Sequence, residues 1–203
     1  MLVVRYSKTD GAEFISHLDT LRHIQKTIVR AELPVAYSKG FNPHMQIFMS
    51  SPIALGLASF AEYFFIESDA DPEVFKREFT RCSPKGLRCL LAKSVSKNPN
   101  LAAVIDGARY VIKDVPAIVD EKKILASEEY FVTDKRGARV DVRGKIKSID
   151  RSGSDLICRF ASGNSPLRAD LFVSEIEKEY GIELGDVVKT DSYIGWVEVE
   201  NCI

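Results

Sequence analysis

The sequence predicts an α+β protein made of two ferredoxin-like (βαββαβ) units in tandem, with antiparallel sheets and helices on one face. Three observations predict it. Short runs alternate apolar and polar residues with period two. Helically spaced segments are bounded by capping residues and prolines. In the first half these elements follow the order β-α-β-β-α-β. The 203 residues leave room for two domains of ordinary size. The expected division is a first domain over 1–95, a linker over 96–107 and a second domain over 108–203.

Residues 2–7 alternate Leu2, Val4 and Tyr6 with Val3, Arg5 and Ser7, which predicts a half-buried strand. Ser16 and Asp19 have capping-box spacing, with Asp where Glu is usual. Leu18, Leu21, Ile24 and Ile28 follow at helical spacing, and Pro34 ends the helix. Gly40 and Asn42-Pro43 mark residues 37–44 as an irregular loop. Residues 46–50 and 61–67 are β-prone. Asp71-Pro72 opens a second helix, with Phe75 and Phe79 on one side. Leu87, Cys89 and Leu91 alternate as a fourth strand.

The second half repeats the theme less plainly. Strands are expected over 108–113, 129–133, 139–150 and 155–161, with a short helix over 119–127. A longer helix over 166–180 has Pro166 in its first turn and Gly181 as its C-terminal cap. Residues 186–199 supply the last strand or strands.

With 45% hydrophobic and 28% charged residues, the composition is that of a globular chain and excludes a disordered one. No run nears the roughly 18 apolar residues of a membrane span. MLVVRYSKTDG lacks a signal-peptide pattern, so the expected location is cytoplasmic, with no membrane partner. Cys82, Cys89, Cys158 and Cys202 form no C-x-x-C pair, so no zinc or redox motif is expected. Nucleotide-binding glycine loops and the H-E-x-x-H and G-x-S-x-G motifs are absent. No cofactor and no metal is expected. His17 and His23, six apart, sit on opposite sides of a helix, and a metal site would need His17, Asp19 and His44 to meet.

Two regions carry candidate chemistry. If the 37–44 loop folds back over the first helix's start, His17, Tyr37, Lys39 and His44 come together. Lys39, Asn42 and His44 would then bind phosphate, and His17, Tyr37 and His44 would suit acid–base cleavage of a ribose-phosphate. Against both stands a plain packing role, with Tyr37 and Phe41 anchoring the loop by burial. The second region is 135–168, with nine Lys/Arg against three Asp in a chain of net charge −1. A strand over 139–147 would place Arg139, Arg143, Lys145 and Lys147 on one side, about 6.5–7 Å apart, matched to a nucleic-acid backbone.

The segment Ser16–Glu67 resembles the radical-SAM-linked protein family, a domain of unknown function found alone or fused to radical S-adenosylmethionine domains. The matching pieces are Ser16-His17-Leu18-Asp19, Leu33-Pro34-Val35-Ala36-Tyr37-Ser38, Gly40-Phe41-Asn42-Pro43-His44, Leu55-Gly56 and Ala61-Glu62-Tyr63. Met45-Gln46 departs from the family's Pro and basic residue at those positions, which removes one positive charge from the loop. The resemblance implies a radical-SAM partner protein and an RNA or ribosomal context. A looser likeness to CRISPR repeat-processing endonucleases implies tandem ferredoxin-like domains, though the glycine-rich C-terminal loop of those enzymes is missing here.

The expected function is therefore a non-catalytic accessory or binding module, RNA- or ribosome-associated, working with a radical-SAM partner. One alternative is a metal-independent RNA endonuclease of the CRISPR repeat-processing type. Another is a protein-interaction scaffold docking through Phe41, Met45 and Met49.

Overall fold

The alternating residues at the N-terminus form β1 (Leu2–Lys8), the strand around which the first half is built. The computed structural model describes all 203 residues, Met1–Ile203. They divide into one unit of Met1–Ile105 with Val199–Ile203 and a second of Asp106–Glu198. The chain is mixed α+β, and the strand pairs within each unit are antiparallel.

In the first unit, β1 leads to α1 (His17–Arg30), β2 (Ile47–Met49), β3 (Ala58–Ile66), α2 (Pro72–Cys82) and β4 (Cys89–Ser94). β1 pairs with β3 on one side and β4 on the other, and β2 joins the far edge of β3. The strand order is β4-β1-β3-β2. The Ser16 hydroxyl accepts the Asp19 N–H at 3.1 Å and donates to its carboxylate at 2.7 Å, so the capping box forms with Asp. Asp71 accepts the N–H groups of Glu73 and Val74, both at 3.0 Å, and so starts α2. Phe75 and Phe79 are fully buried and stack with ring centroids 5.7 Å apart. Burying each is worth roughly 1.5–3 kcal/mol.

Three findings differ from the sequence reading. The buried side of α1 is Thr20, Ile24, Thr27 and Ile28, whereas Leu18 is 63% exposed. β1 is buried on both sides, with Val3 as inaccessible as Val4. On that second side, α6 (Val199–Cys202) reaches Arg5, Tyr63 and Lys93, all three bonded to Glu200. Residues 96–107 include α3 (Leu101–Val104), whose Leu101 is buried, as is Ile105.

The second unit contains β5 (Gly107–Ile112), α4 (Glu121–Ala126), β6 (Phe131–Thr133), β7 (Arg139–Asp141), β8 (Ile146–Ser152) and β9 (Asp155–Ala161). These are followed by α5 (Ala169–Tyr180), β10 (Val187–Ile194) and β11 (Val197–Glu198). β5 lies between β10 and β9, and β8 flanks β9, giving the order β10-β5-β9-β8. β6 and β7 form a separate hairpin, and β11 pairs with β10. A Cβ at Gly107 would lie 3.0 Å from the Trp196 ring, so a larger residue there would displace that ring. Gly181 takes the left-handed conformation that ends α5.

Candidate functional site

Residues 33–46 leave α1 and return as a narrow hairpin. Tyr37 and Met45 form a bridge across it. Ser38 N–H donates to the His44 carbonyl at 2.8 Å, and His44 N–H donates to the Ser38 hydroxyl at 2.9 Å. Gln46 N–H donates to Ala36 at 2.9 Å. Its tip, 39–43, is exposed, and Gly40 holds φ +136 with open space around it. The residue types expected in this loop are therefore set in an ordered projection.

The hairpin stands beside the C-terminal half of α1, not over its start. A cavity of about 440 Å³ there is lined by Lys26, Val29, Arg30, Tyr37, His44 and Met45, among others. His17 lines a different cavity, with Leu21 and β2. His17 and Arg30 are the two ends of this 14-residue helix, roughly 20 Å apart along the axis. His17, Tyr37 and His44 thus do not share a cleft, and the acid–base arrangement expected of them is not formed. The helix continues without interruption from the Ser16 cap, and the loop's own bonds hold it at the other end. Asp19 is engaged by the Ser16 hydroxyl and by the Arg22 guanidinium at 2.7 Å, which together hold its carboxyl below the usual range. No group of three or more His, Cys, Asp or Glu side chains gathers as a metal site requires.

Burial does not anchor the aromatic residues of the loop. Tyr37 is 51% exposed and Phe41 fully so. Met45 and Met49 pack against the hydrophobic core instead, which leaves Phe41 as the one free member of the docking patch expected from those three. The hairpin itself carries no acidic side chain. No Asp or Glu occurs from Leu33 to Ala61, and Lys39 is exposed at the tip. Lys26 and Arg30 form the helix wall, with the Arg30 guanidinium braced on the Cys82 carbonyl at 2.8 Å. Sequence reasoning did not single out Lys26, Val29 and Arg30. The signal was their spacing on the side of α1 opposite Ile24 and Ile28.

The 139–147 segment is not one strand. β7 ends at Asp141, a 3₁₀ turn spans Arg143–Lys145, and β8 begins at Ile146. The Asp141 carboxylate accepts the Tyr130 and Arg143 N–H groups, both at 3.0 Å, and so turns the chain. The four cations consequently lie in different settings. Arg139 sits over the Phe131 ring and 3.8 Å from Glu175. Arg143 donates to the carbonyls of Leu125, Ser127 and Ile146, which makes it an internal brace. Lys145 is half-buried, and Lys147 places its ammonium 5.6 Å from the Trp196 ring centre. The cavity of about 420 Å³ beside Arg139 balances Lys123 and Lys178 with Glu129, Glu175 and Glu179, so it carries no excess positive charge.

No helix is long and apolar enough to cross a membrane. No curated protein matches the chain. Among solved structures, a chain from "Crystal Structure of a Cbf5-Nop10-Gar1 Complex" is similar at 13% identity and a TM-score of 0.48. The likeness covers 94% of this chain and 48% of that one, so this protein spans about half its length. Residues 1–174 match the model of a family described as "Uncharacterized protein conserved in bacteria" (DUF2344), and the chain belongs to that family.

Proposed function

We propose that this protein is a non-catalytic binding module that holds single-stranded RNA in the groove between α1 and the 33–46 hairpin. One observation carries the reading: two exposed aromatic rings, Tyr37 and Phe41, occur with Lys39 and His44 on a hairpin without acids, beside Lys26 and Arg30 of α1. Stacking rings set beside cations are how proteins hold unpaired strands without reading a fixed sequence. Asn42, exposed at the hairpin tip, adds a neutral hydrogen-bonding group. On the second unit, Lys147 is an exposed cation separate from this groove.

The finer architecture belongs to the same proposal. The orders β4-β1-β3-β2 and β10-β5-β9-β8 support reading each unit as ferredoxin-like, with the β6–β7 hairpin inserted in the second. A radical-SAM partner rests on the sequence resemblance alone. In this scheme the module presents RNA, or a ribosomal particle containing it, to that partner.

The test is a titration of the full chain with a short single-stranded RNA at several salt concentrations. Binding that weakens linearly on a log–log plot supports the proposal. No binding, or binding indifferent to salt, refutes it.

A further inference from the structure

A second cavity, of about 370 Å³, opens at the other end of α1, between His17, β2 and residues 98–102. Its chemistry differs from that of the groove. Phe48 offers a half-exposed ring, 45% accessible, held from behind by the buried Phe65 at 5.9 Å between ring centres. Leu21 and Leu101 add apolar wall. The polar groups are the His17 imidazole and the carboxamides of Asn98 and Asn100. Asn98 Oδ1 accepts the Asn100 N–H at 2.8 Å, which sets the turn. The Asn98 amide nitrogen, the Asn100 side chain and the His17 ring make no hydrogen bond within the chain. Asn100 itself lies in the left-handed region at φ 53, where Asn is among the few tolerated residues.

We infer that this cavity receives one unpaired nucleobase of the RNA strand, an inference that rests on the RNA reading above. A flat heterocycle needs an apolar surface for its plane and neutral donors and acceptors for its edge. Phe48 provides the first, and Asn98, Asn100 and His17 provide the second. The two sites lie toward opposite ends of α1 and share a neighbouring segment. The groove meets α1 at Gln25–Arg30 and the base cavity meets it at His17 and Leu21, roughly 13 Å apart along the axis. Residues 45–49 run beside both, with Met45 in the first and Phe48 in the second. Lys97, exposed next to Asn98, supplies a cation for the phosphate at that end.

The experiment is a fluorescence anisotropy titration of the full chain with short single-stranded oligoadenylate and oligouridylate. It compares the unaltered protein with Phe48→Leu and Asn98→Ala. Circular dichroism checks that each variant folds; Asn98 is exposed and outside the core, so it remains informative if Phe48→Leu does not fold. The expected result for Phe48→Leu is a loss of affinity for both probes of roughly 5- to 150-fold, the range of one stacked base, with the salt slope unchanged. Asn98→Ala should alter the ratio of the two affinities. Salt-dependent binding with both variants indistinguishable from the unaltered protein would overturn the base cavity and leave the groove standing. Absence of salt-dependent binding by the unaltered protein would overturn both.

Discussion

The carboxylate of Glu200 receives the guanidinium of Arg5, joining residues 195 positions apart and tying the last helix to the first strand. Tyr63 also donates to this carboxylate at 3.3 Å, and Lys93 reaches the Glu200 carbonyl at 2.9 Å. The Arg5 and Glu200 side chains are 17% and 28% accessible, so the pair is partly shielded from water. Glu200→Ala should therefore lower the stability of the first unit by about 1–3 kcal/mol, since it removes the carboxylate that Arg5 and Tyr63 share at this helix. Urea denaturation measures it, and a change within about 0.5 kcal/mol, the size of an ordinary surface substitution, would show that the clasp contributes little.

Gly86 cannot be replaced. It holds φ +88, and a Cβ there would lie 1.8 Å from the Thr9 carbonyl oxygen, a backbone atom that cannot swing aside. Ser7 N–H and Thr9 N–H bond to residues 88 and 86 on the facing segment, so any retreat breaks the β1 edge. Gly86→Ala should cost more than about 3 kcal/mol, or prevent folding, as seen by thermal melting.

Alkaline pH should weaken the first unit. Burial pushes the Cys89 thiol up to about 12, and burial, then Glu62, raises Tyr6 in the same direction. Both groups keep their protons in the native state after the unfolded chain has lost them. The thiol's contribution is complete below its unfolded value of about 8.5 and is lost as pH rises toward 12. Stability measured by urea titration should fall by about 2–3 kcal/mol between pH 8 and pH 11 through Cys89. Cys89→Ala should start about 1 kcal/mol less stable yet decline less steeply. An identical decline would remove Cys89 as the cause.

Lys39 and Arg143 should respond in opposite assays. Lys39 is exposed at the hairpin tip, and Lys39→Gln should lower the salt slope of RNA binding by about one with little change in stability. Arg143 has its guanidinium on three carbonyls, and Arg143→Gln should cost about 1–3 kcal/mol of stability with RNA affinity kept in the folded fraction. A salt-slope change in Arg143→Gln without a stability change would reverse these assignments.

Local signals were legible where neighbours in sequence decide the outcome. Ser16 with Asp19, Asp71 with Pro72, and Gly181 each mark a helix end found within a few residues of its expected place. Leu18 shows the limit: its spacing fits the apolar side of α1, yet Thr20 and Thr27 are buried and Leu18 is not. Two threonines look polar in a pattern count, but beside Ile24 and Ile28 they are small enough to pack, and Thr20 satisfies its hydroxyl on the Ser16 carbonyl at 2.9 Å. In 139–147 the alternation was real, yet Asp141 turned the backbone and divided it between two sheets.

By itself the sequence determined the α+β character, most element boundaries and the polar, aromatic makeup of the 33–46 loop, because caps, prolines and period-two alternation act over a few residues. Only the tertiary structure decided which end of α1 that loop meets, which arginines are internal braces and what covers the second side of β1. Those outcomes depend on contacts such as Arg5 with Glu200, where shape and charge meet across nearly the whole chain, and no local pattern encodes them.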